Sequence, residues 1–432
     1  MTAANLRERV GPAVLMGAGL VVVGIAGYVF LALAGHAFST ADAAALASFY
    51  LIVSIVGPGV FVGLEQETSR STSAWLARDR RFGIVARHAA LVGAALLAVV
   101  AVALLLIGPL LTDKALSGQW GLFAAIFVAV SAAAAMYLVR GLLGGMQRFG
   151  GYAATLTVEG LVRLLLCVTV VVLGNPDATW YAITFGVGTV LAVAAGLPWL
   201  RHPHAGAVPD TVDTVDTIDD AASLRAMARR LVLMVAAAFG FQLVANLAPI
   251  VVTAKLGAAD TATAAAFASA FVLVRIPVLL FAAVQAMLLP ALTKAATVGD
   301  FATVRATLGK FLAAVAVIGT PTVLLALLIG PEAVELLFGA KVRLPSGVVG
   351  LLAIGTVLVL TTQVLMPALL ALGKHRIVTM AWALGTVVLV GALTLPFSPT
   401  AAAAWAQIAG CGAVVLTMAL SLSRTLHAAE KA

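Results

Sequence analysis

Arg275 stands about twelve residues into an apolar stretch long enough to cross a bilayer. Its guanidinium therefore falls near the hydrocarbon midplane, too deep to snorkel easily to the headgroups. A charge at that depth costs about 2.5–3.5 kcal/mol even on the mildest scale, so it needs a partner or a task. A planar guanidinium donates two parallel hydrogen bonds and suits a phosphate or pyrophosphate. The other reading is a structural pair with a buried carboxylate. Pro277, two residues on, removes a helix hydrogen bond and favours a kink whose freed carbonyls face a wet space. Glu159 and Arg163 are spaced i, i+4, share a helix face and can pair directly. They form a structural ion pair or take part in cation coupling. Arg140 sits near the end of its span, where snorkelling to headgroups is expected. Gln242 and Asn246 are also four apart, with Pro249 just beyond; Gln285 and Gln363 are further amides of the same kind. Amides between membrane helices often serve as packing glue.

The stretch "VGPGVFVGLEQETSR", Val56 to Arg70, runs from an apolar span straight into charge. Glu65 and Glu67 lie about 200° apart around a helix and cannot both face one cavity. Glu67 and Arg70 are i, i+3 and pair at the water boundary. That leaves Glu65 for the cytoplasmic mouth, with a cargo or proton role as the sharper reading and a plain span end as the blander one. Gly57, Pro58 and Gly59 make a hinge, since proline breaks the hydrogen-bond ladder and glycine adds freedom.

The remaining reactive residues point to no chemistry. His36, His88, His202, His204, His375 and His427 lie at span ends or in loops, with no nucleophile or carboxylate cluster around them. Cys167 and Cys411 fall inside apolar runs without CxxC or Cys/His spacing, so both read as small packing residues. No Walker A or other nucleotide fingerprint is present. Neither an enzyme, a metal site nor a cofactor is expected.

The elements that must hold these residues follow from composition. Of 432 residues, 62% are hydrophobic and only 10% are charged, and the mean hydropathy is +1.12. A soluble domain keeps far more charge on its surface. The expected class is an all-α polytopic membrane protein. Spans are expected at about 11–35, 43–66, 87–109, 119–143, 153–173, 179–200, 229–255, 263–291, 307–330, 347–371, 377–395 and 400–422. The first run ends in "ALAGHA", but it is too long for a signal h-region of about 7–15 residues and reads as a retained helix. Nineteen of the 26 Lys and Arg residues fall on one side of this layout. Lys114, Lys255, Lys341 and Arg343 fall on the other, and Arg140, Arg163 and Arg275 inside spans. The positive-inside rule then puts both termini in the cytoplasm. The net charge of +8 is mostly this signal, and no loop is long enough for a basic nucleic-acid-binding domain.

The longest loop carries Asp210, Asp213, Asp216 and Asp219 at three-residue spacing. It lacks the glycine of a calcium loop and reads as a solvated linker. It separates an N-terminal six-helix lobe, 1–200, from a C-terminal one, 229–432, with the linker at 201–228. The halves repeat one another. "RERVGPAVLMG" answers "ARRLVLMVAAA", "ASFYLIVSIVG" answers "ASAFVLVRIPV", and "GLLGGMQRFGG" answers "LLALGKHRIVT", in the same order. An even helix count per half makes the repeats parallel, a transporter architecture.

With the six-plus-six layout, the "GPGVFVGLEQETSR" end of the second helix, Arg275-Ile276-Pro277 and the basic turns "GMQRFGG" and "GKHR", the chain resembles the multidrug/oligosaccharidyl-lipid/polysaccharide (MOP) exporter superfamily. Within it, the chain resembles the bacterial polysaccharide flippases. The resemblance implies two pseudo-symmetric lobes in a V around a central cavity lined by the first, second, seventh and eighth helices. It implies that Gln242 and Asn246 meet sugar hydroxyls and that Arg275 and Glu65 contact cargo. The multidrug branch often carries an acid deep in the first helix, and Gly11 to Gly35 contains none here. The lipid II flippase branch has about fourteen helices and several cavity arginines, against about twelve and Arg275 here. The expectation is therefore a flippase moving a polyprenyl-phosphate- or pyrophosphate-linked saccharide across the bacterial inner membrane by alternating access, for envelope polysaccharide synthesis. Its partners would be that saccharide, membrane lipids and envelope glycosyltransferases, without nucleic acid. The alternatives are a cation-coupled multidrug exporter on the same fold and a non-transporting scaffold for envelope enzymes.

Overall fold

The computed structural model describes residues 3–76, 82–174, 177–201, 216–297 and 299–430. Among them all long elements are α-helices and no strand occurs. They are α1 (Ala3–Ala37), α2 (Thr40–Leu76), α3 (Phe82–Ala115), α4 (Trp120–Gly145), α5 (Phe149–Val172), α6 (Ala178–Gly196), α7 (Asp216–Leu256), α8 (Thr261–Leu273), α9 (Ile276–Thr297), α10 (Phe301–Phe338), α11 (Ser346–Ala371), α12 (His375–Ala392) and α13 (Pro399–Glu430). Twelve segments of the described chain are long and apolar enough to span a membrane, α8 and the start of α9 together making the eighth. Aspartates at the water boundary cap helix starts. Asp177 accepts from the Trp180 amide at 3.0 Å, Asp260 from Thr263 at 3.0 Å and Asp300 from Thr303 at 2.9 Å. The two bonds from Thr303 hold the exposed Asp300 carboxyl below its usual range.

Several helices outrun the expected spans. α2 continues ten residues past the expected end at 66, and α10 starts six before its expected start. The expected linker at 201–228 is helical from Asp216 onward, which takes Asp216 and Asp219 into α7. Asp210, Asp213, His202 and His204 lie outside the described residues. The expected single eighth helix is interrupted: α8 stops at Leu273, Val274 and Arg275 form a turn, and Pro277 stands at the second position of α9. Proline is tolerated there because the first helical positions have no intrahelical acceptor for their amides. Gly57-Pro58-Gly59, by contrast, lies inside one unbroken α2, where Pro58 only deletes the bond that the Ser54 carbonyl would accept.

The chain gathers into two compact units. Unit 1 is Met1–Phe30, Val53–Thr112 and Gln119–Phe239; unit 2 is Leu31–Ile52, Asp113–Gly118 and Gly240–Ala432. In unit 1, α6 packs on α4 and α5. Its aromatic centre is Phe30 stacked on Tyr181 at 4.6 Å, with Tyr181 Oη donating to the Phe30 carbonyl at 2.7 Å. In unit 2, α11 is central and packs on α9, α10, α12 and α13. Trp382 on α12 is buried edge-on against Phe241, ring centroids 5.0 Å apart. Exposed leucines and valines such as Leu106 on α3 and Leu328 on α10 suit a lipid solvent rather than water.

Within unit 2 the ends of α1 and α10 meet backbone to backbone. A Cβ on Gly35 would collide with the Phe338 carbonyl oxygen, and Gly339 turns away with φ 63°. Gly35→Ala should destabilise the protein by about 1–3 kcal/mol, the usual cost of overpacking. Gly347→Ala, which meets nothing within 4 Å, should be neutral. Thermal unfolding of both variants in detergent checks this; equal midpoints would refute the close approach.

Candidate functional site

The polar interior of unit 1 is assembled by a hairpin. α4 ends at Gly145, a tight turn follows with Gln147 at φ 59°, and α5 starts at Phe149. The hairpin sets Arg140 on α4 beside Tyr152, Thr155 and Glu159 on α5. Arg140 Nη2 donates to Glu159 Oε2 at 2.8 Å, and Arg140 Nε to Thr155 Oγ1 at 2.9 Å. Arg163 Nη2 donates to Glu159 Oε1 at 2.7 Å, and Thr189 Oγ1 on α6 donates to the same oxygen at 3.2 Å. The Arg163 guanidinium also covers the Phe185 ring, 3.4 Å from its centroid. Glu159, Arg140 and Arg163 are each about 5% exposed or less, so this is a buried ion triad. Arg140 does not snorkel to headgroups as expected, because Glu159 offers it a charged partner inside the unit.

Glu65 joins the edge of this network. Tyr152 Oη donates to Glu65 Oε1 at 2.6 Å, and the carboxylate is half-buried. Glu67 is buried and held by Arg70 through Nε at 2.8 Å and Nη2 at 2.5 Å. The two glutamates thus point to different surroundings. The approach of α2 to α4 rests on absent side chains. A Cβ on Gly141 would lie 2.8 Å from the Glu65 carbonyl oxygen, and one on Gly145 would lie 2.6 Å from that of Ser69. Ser73 Oγ donates to the Gly145 carbonyl at 2.9 Å across the same contact.

Unit 2 holds a second cluster. Arg275 Nη1 donates to Asn246 Oδ1 at 2.9 Å, Nη2 donates to the Ala245 carbonyl, and the guanidinium stands 4.1 Å above the Phe271 ring. Asn246 Nδ2 donates to Gln242 Oε1 at 3.0 Å, which fixes the amide that faces the arginine. Gln242, Asn246 and Arg275 therefore form one hydrogen-bonded chain, all half-buried. Glu65, Glu159 and Arg163 belong to unit 1 and are not part of it. Gln363 is half-buried on α11, and the side chain of Gln285 lies outside the described residues. No group of three His, Cys, Asp or Glu residues with metal-holding geometry occurs among the described residues.

Unit 1 also contains an apolar cavity of about 590 Å³ between α2, α3 and α7. Val60, Val92, Leu96, Val100, Leu231 and Phe239 contribute to its wall, and no polar side chain does. Tyr152, Thr155 and Thr189 went unnoticed in the sequence. The usable signal was the hairpin: "GMQRFGG" is a turn, and folding the chain back there sets Arg140 against the start of α5.

No protein-family model and no curated protein sequence matches the chain. Solved structures do. An inward-facing multidrug resistance MATE family transporter of the MOP superfamily matches with a TM-score of 0.72 at 14% identity, over 96% of this chain and 99% of that one. An outward-facing conformation of such a transporter matches at 0.59 and 13%, over 97% and 95%. A mutant of the Vibrio cholerae MATE transporter VcmN matches at 0.60 and 16%, over 98% of both chains. The fold is that of MOP-superfamily transporters. The flippase expectation is corrected: the structural neighbours are described as MATE transporters, two of them as multidrug resistance transporters. The physical reason lies in the motifs that suggested it. Gly145, which opens the basic turn, is a close packing contact on the end of α2, and such a contact reports a shared fold and not a cargo.

The triad carries a stability prediction. Glu159→Gln leaves two buried guanidiniums facing each other without a carboxylate, and removing one partner of a buried ion cluster costs about 3–5 kcal/mol. Joint replacement of Glu159, Arg140 and Arg163 by Leu or Met should restore much of that loss. Unfolding midpoints in detergent compare the two; a harmless Glu159→Gln would show that the triad is not held as described.

Proposed function

We propose that this chain, built on the fold of the MOP-superfamily transporters, is an exporter of small amphipathic compounds of the multidrug type. Its export would run by alternating access against a cation gradient, with the chain in the cytoplasmic membrane and both termini on the cytoplasmic side. The observation that supports this most is the near end-to-end match, in both chains, to multidrug transporters solved in inward- and outward-facing conformations. The apolar cavity of unit 1 suits the non-polar part of such a solute, since pockets for small organic molecules are mostly apolar with a few placed polar groups. The 14% identity of the first match carries the fold, and cargo and coupling rest on this chain's own residues.

Coupling needs a carboxylate that can take up and release a cation. Glu159 is unsuited, because two guanidiniums already occupy its oxygens. The first helix offers no acid between Gly11 and Gly35. Glu67 is held by Arg70, so among the described carboxylates inside the spans of unit 1 Glu65 is left: it is half-buried and accepts from the Tyr152 phenol, so it can exchange a proton without breaking an ion pair. Protonation would reverse its bond with Tyr152 or free the phenol, and Arg140 lies close enough to sense the lost charge. Tyr152 positions the carboxylate in this scheme, and Arg140 links it to the triad.

Everted vesicles test this. Addition of an exported dye should collapse an imposed proton gradient in vesicles carrying the natural protein. Glu65→Gln should reduce that signal to the level of vesicles without the protein, while Glu65→Asp keeps part of it. Dye export by Glu65→Gln equal to the natural protein at all pH values would remove Glu65 from coupling. No export of any dye under any ion gradient would remove the exporter reading itself.

A further inference from the structure

The two basic turns that the repeats share end in different surroundings. In "GMQRFGG", Arg148 donates to the Trp199 carbonyl, so the first turn closes on its own unit. The aligned residue of the second repeat is Arg376, in the "GKHR" turn between α11 and α12. Gly373, Lys374, His375 and Arg376 are all exposed there, and no carboxylate among the described residues pairs with Lys374 or Arg376. Arg424 stands at the same depth. Gly385 meets Val414 and Gly410 meets Leu389, and this antiparallel register sets Arg376 on α12 level with Arg424 on α13. Arg424 is exposed too, and Lys294 on α9 and Lys310 on α10 add exposed cations at this end of unit 2. Among the described side chains the carboxylate at this end is Asp300, which caps α10 and is engaged twice by Thr303. The positive-inside rule accounts for the side on which these cations stand, and not for what meets their charge.

Apolar stripes run down the helices from the cations. On α12, Arg376, Met380, Leu384 and Val387 follow at helical spacing, and all are exposed. On α13, Arg424, Leu420 and Leu416 do the same. Both stripes belong to membrane spans, so lipid covers them. A molecule that matches a cation at headgroup level and an apolar stripe beneath it carries an oxyanion and alkyl chains. A zwitterionic lipid brings its own ammonium to its phosphate, whereas a lipid of net negative charge leaves the phosphate to the protein. We propose that this basic rim of unit 2, centred on Lys374, Arg376 and Arg424, binds anionic phospholipids by their phosphodiester heads. The acyl chains lie along the stripes of α12 and α13. Arg376 and Arg424 offer the forked hydrogen bonds that phosphate oxygens accept, and Lys374 adds a point charge. The site is independent of what the chain exports and of the role of Glu65.

Native mass spectrometry of the full chain released from detergent micelles tests this. The probes are phosphatidylglycerol and phosphatidylcholine with identical acyl chains, titrated separately. Phosphatidylglycerol should be held roughly tenfold or more tightly. Lys374→Gln combined with Arg376→Gln should lose most of that margin. A charge-matched pair, Lys114→Gln with Lys341→Gln, removes exposed cations from the opposite end of unit 2 and should keep it. Arg424→Gln reads the rim from α13, should lose part of the margin, and serves if the double variant unfolds. Thermal unfolding in the same detergent is the folding control. Equal retention of the two lipids by the natural protein would overturn the proposal. So would an undiminished margin in the folded rim variants, or an equal loss in the opposite-end pair. Inorganic phosphate at the lipid's own concentration should leave the lipid in place; displacement by it would reveal a soluble-anion site and overturn the lipid assignment.

Discussion

A carboxylate buried in a membrane protein must be matched by positive charge, and Glu159 is matched twice. Each of its oxygens receives a guanidinium, one from its own helix and one from α4. Removing several charges from water costs more than their attraction returns unless the geometry is good and further hydrogen bonds fill the remaining sites. Thr155 and Thr189 fill some of those sites, and the Phe185 ring takes the face of Arg163. The triad thus ties α4, α5 and α6 together at one depth, and the rest of unit 1 is arranged around that tie.

Charge matching at this depth requires helices that nearly touch. Glycines supply the space: Gly141 and Gly145 admit α2, Gly160 admits α1 at Val22, and Gly188 on α6 lies close to the Glu159 carbonyl and Arg163. In lipid there is little hydrophobic drive to bring helices together, so close backbone contact and polar bonds must do it. Small residues and the ion triad are therefore two parts of one device. Without the glycines the charges could not meet, and without the charges the close contact would have less to hold it. Glu65 sits at the margin of this device and touches it through Tyr152.

Unit 2 uses the same packing habits. Its helices also pack on small residues, as where Gly385 and Gly410 bring α12 and α13 together. Its interior guanidinium, Arg275, donates to Asn246, whose amide is fixed in turn by Gln242.

Composition and span length alone determined the class, because no soluble core can absorb so many apolar runs and a bilayer can. Spacing alone placed Glu67 with Arg70 and Glu159 with Arg163 on common helix faces, since neighbours three or four residues apart need only a helix to meet. What spacing could not reach was any partner on another helix. Arg140 reads as a headgroup anchor until α5 folds back against it, and Tyr152 reads as nothing in particular until its hydroxyl meets Glu65, 87 residues away. The break at Val274–Arg275 was legible as a kink from Pro277, but its consequence, a fork held by the α7 backbone and Asn246, was not. Cargo was the hardest to read. The basic turn at Gly145, one of the motifs that suggested a saccharide carrier, is a packing surface, and packing is shared by members of a fold whatever they carry. Local physics is written along the chain; the pairing of charges across helices exists only once tertiary structure brings them within hydrogen-bond reach.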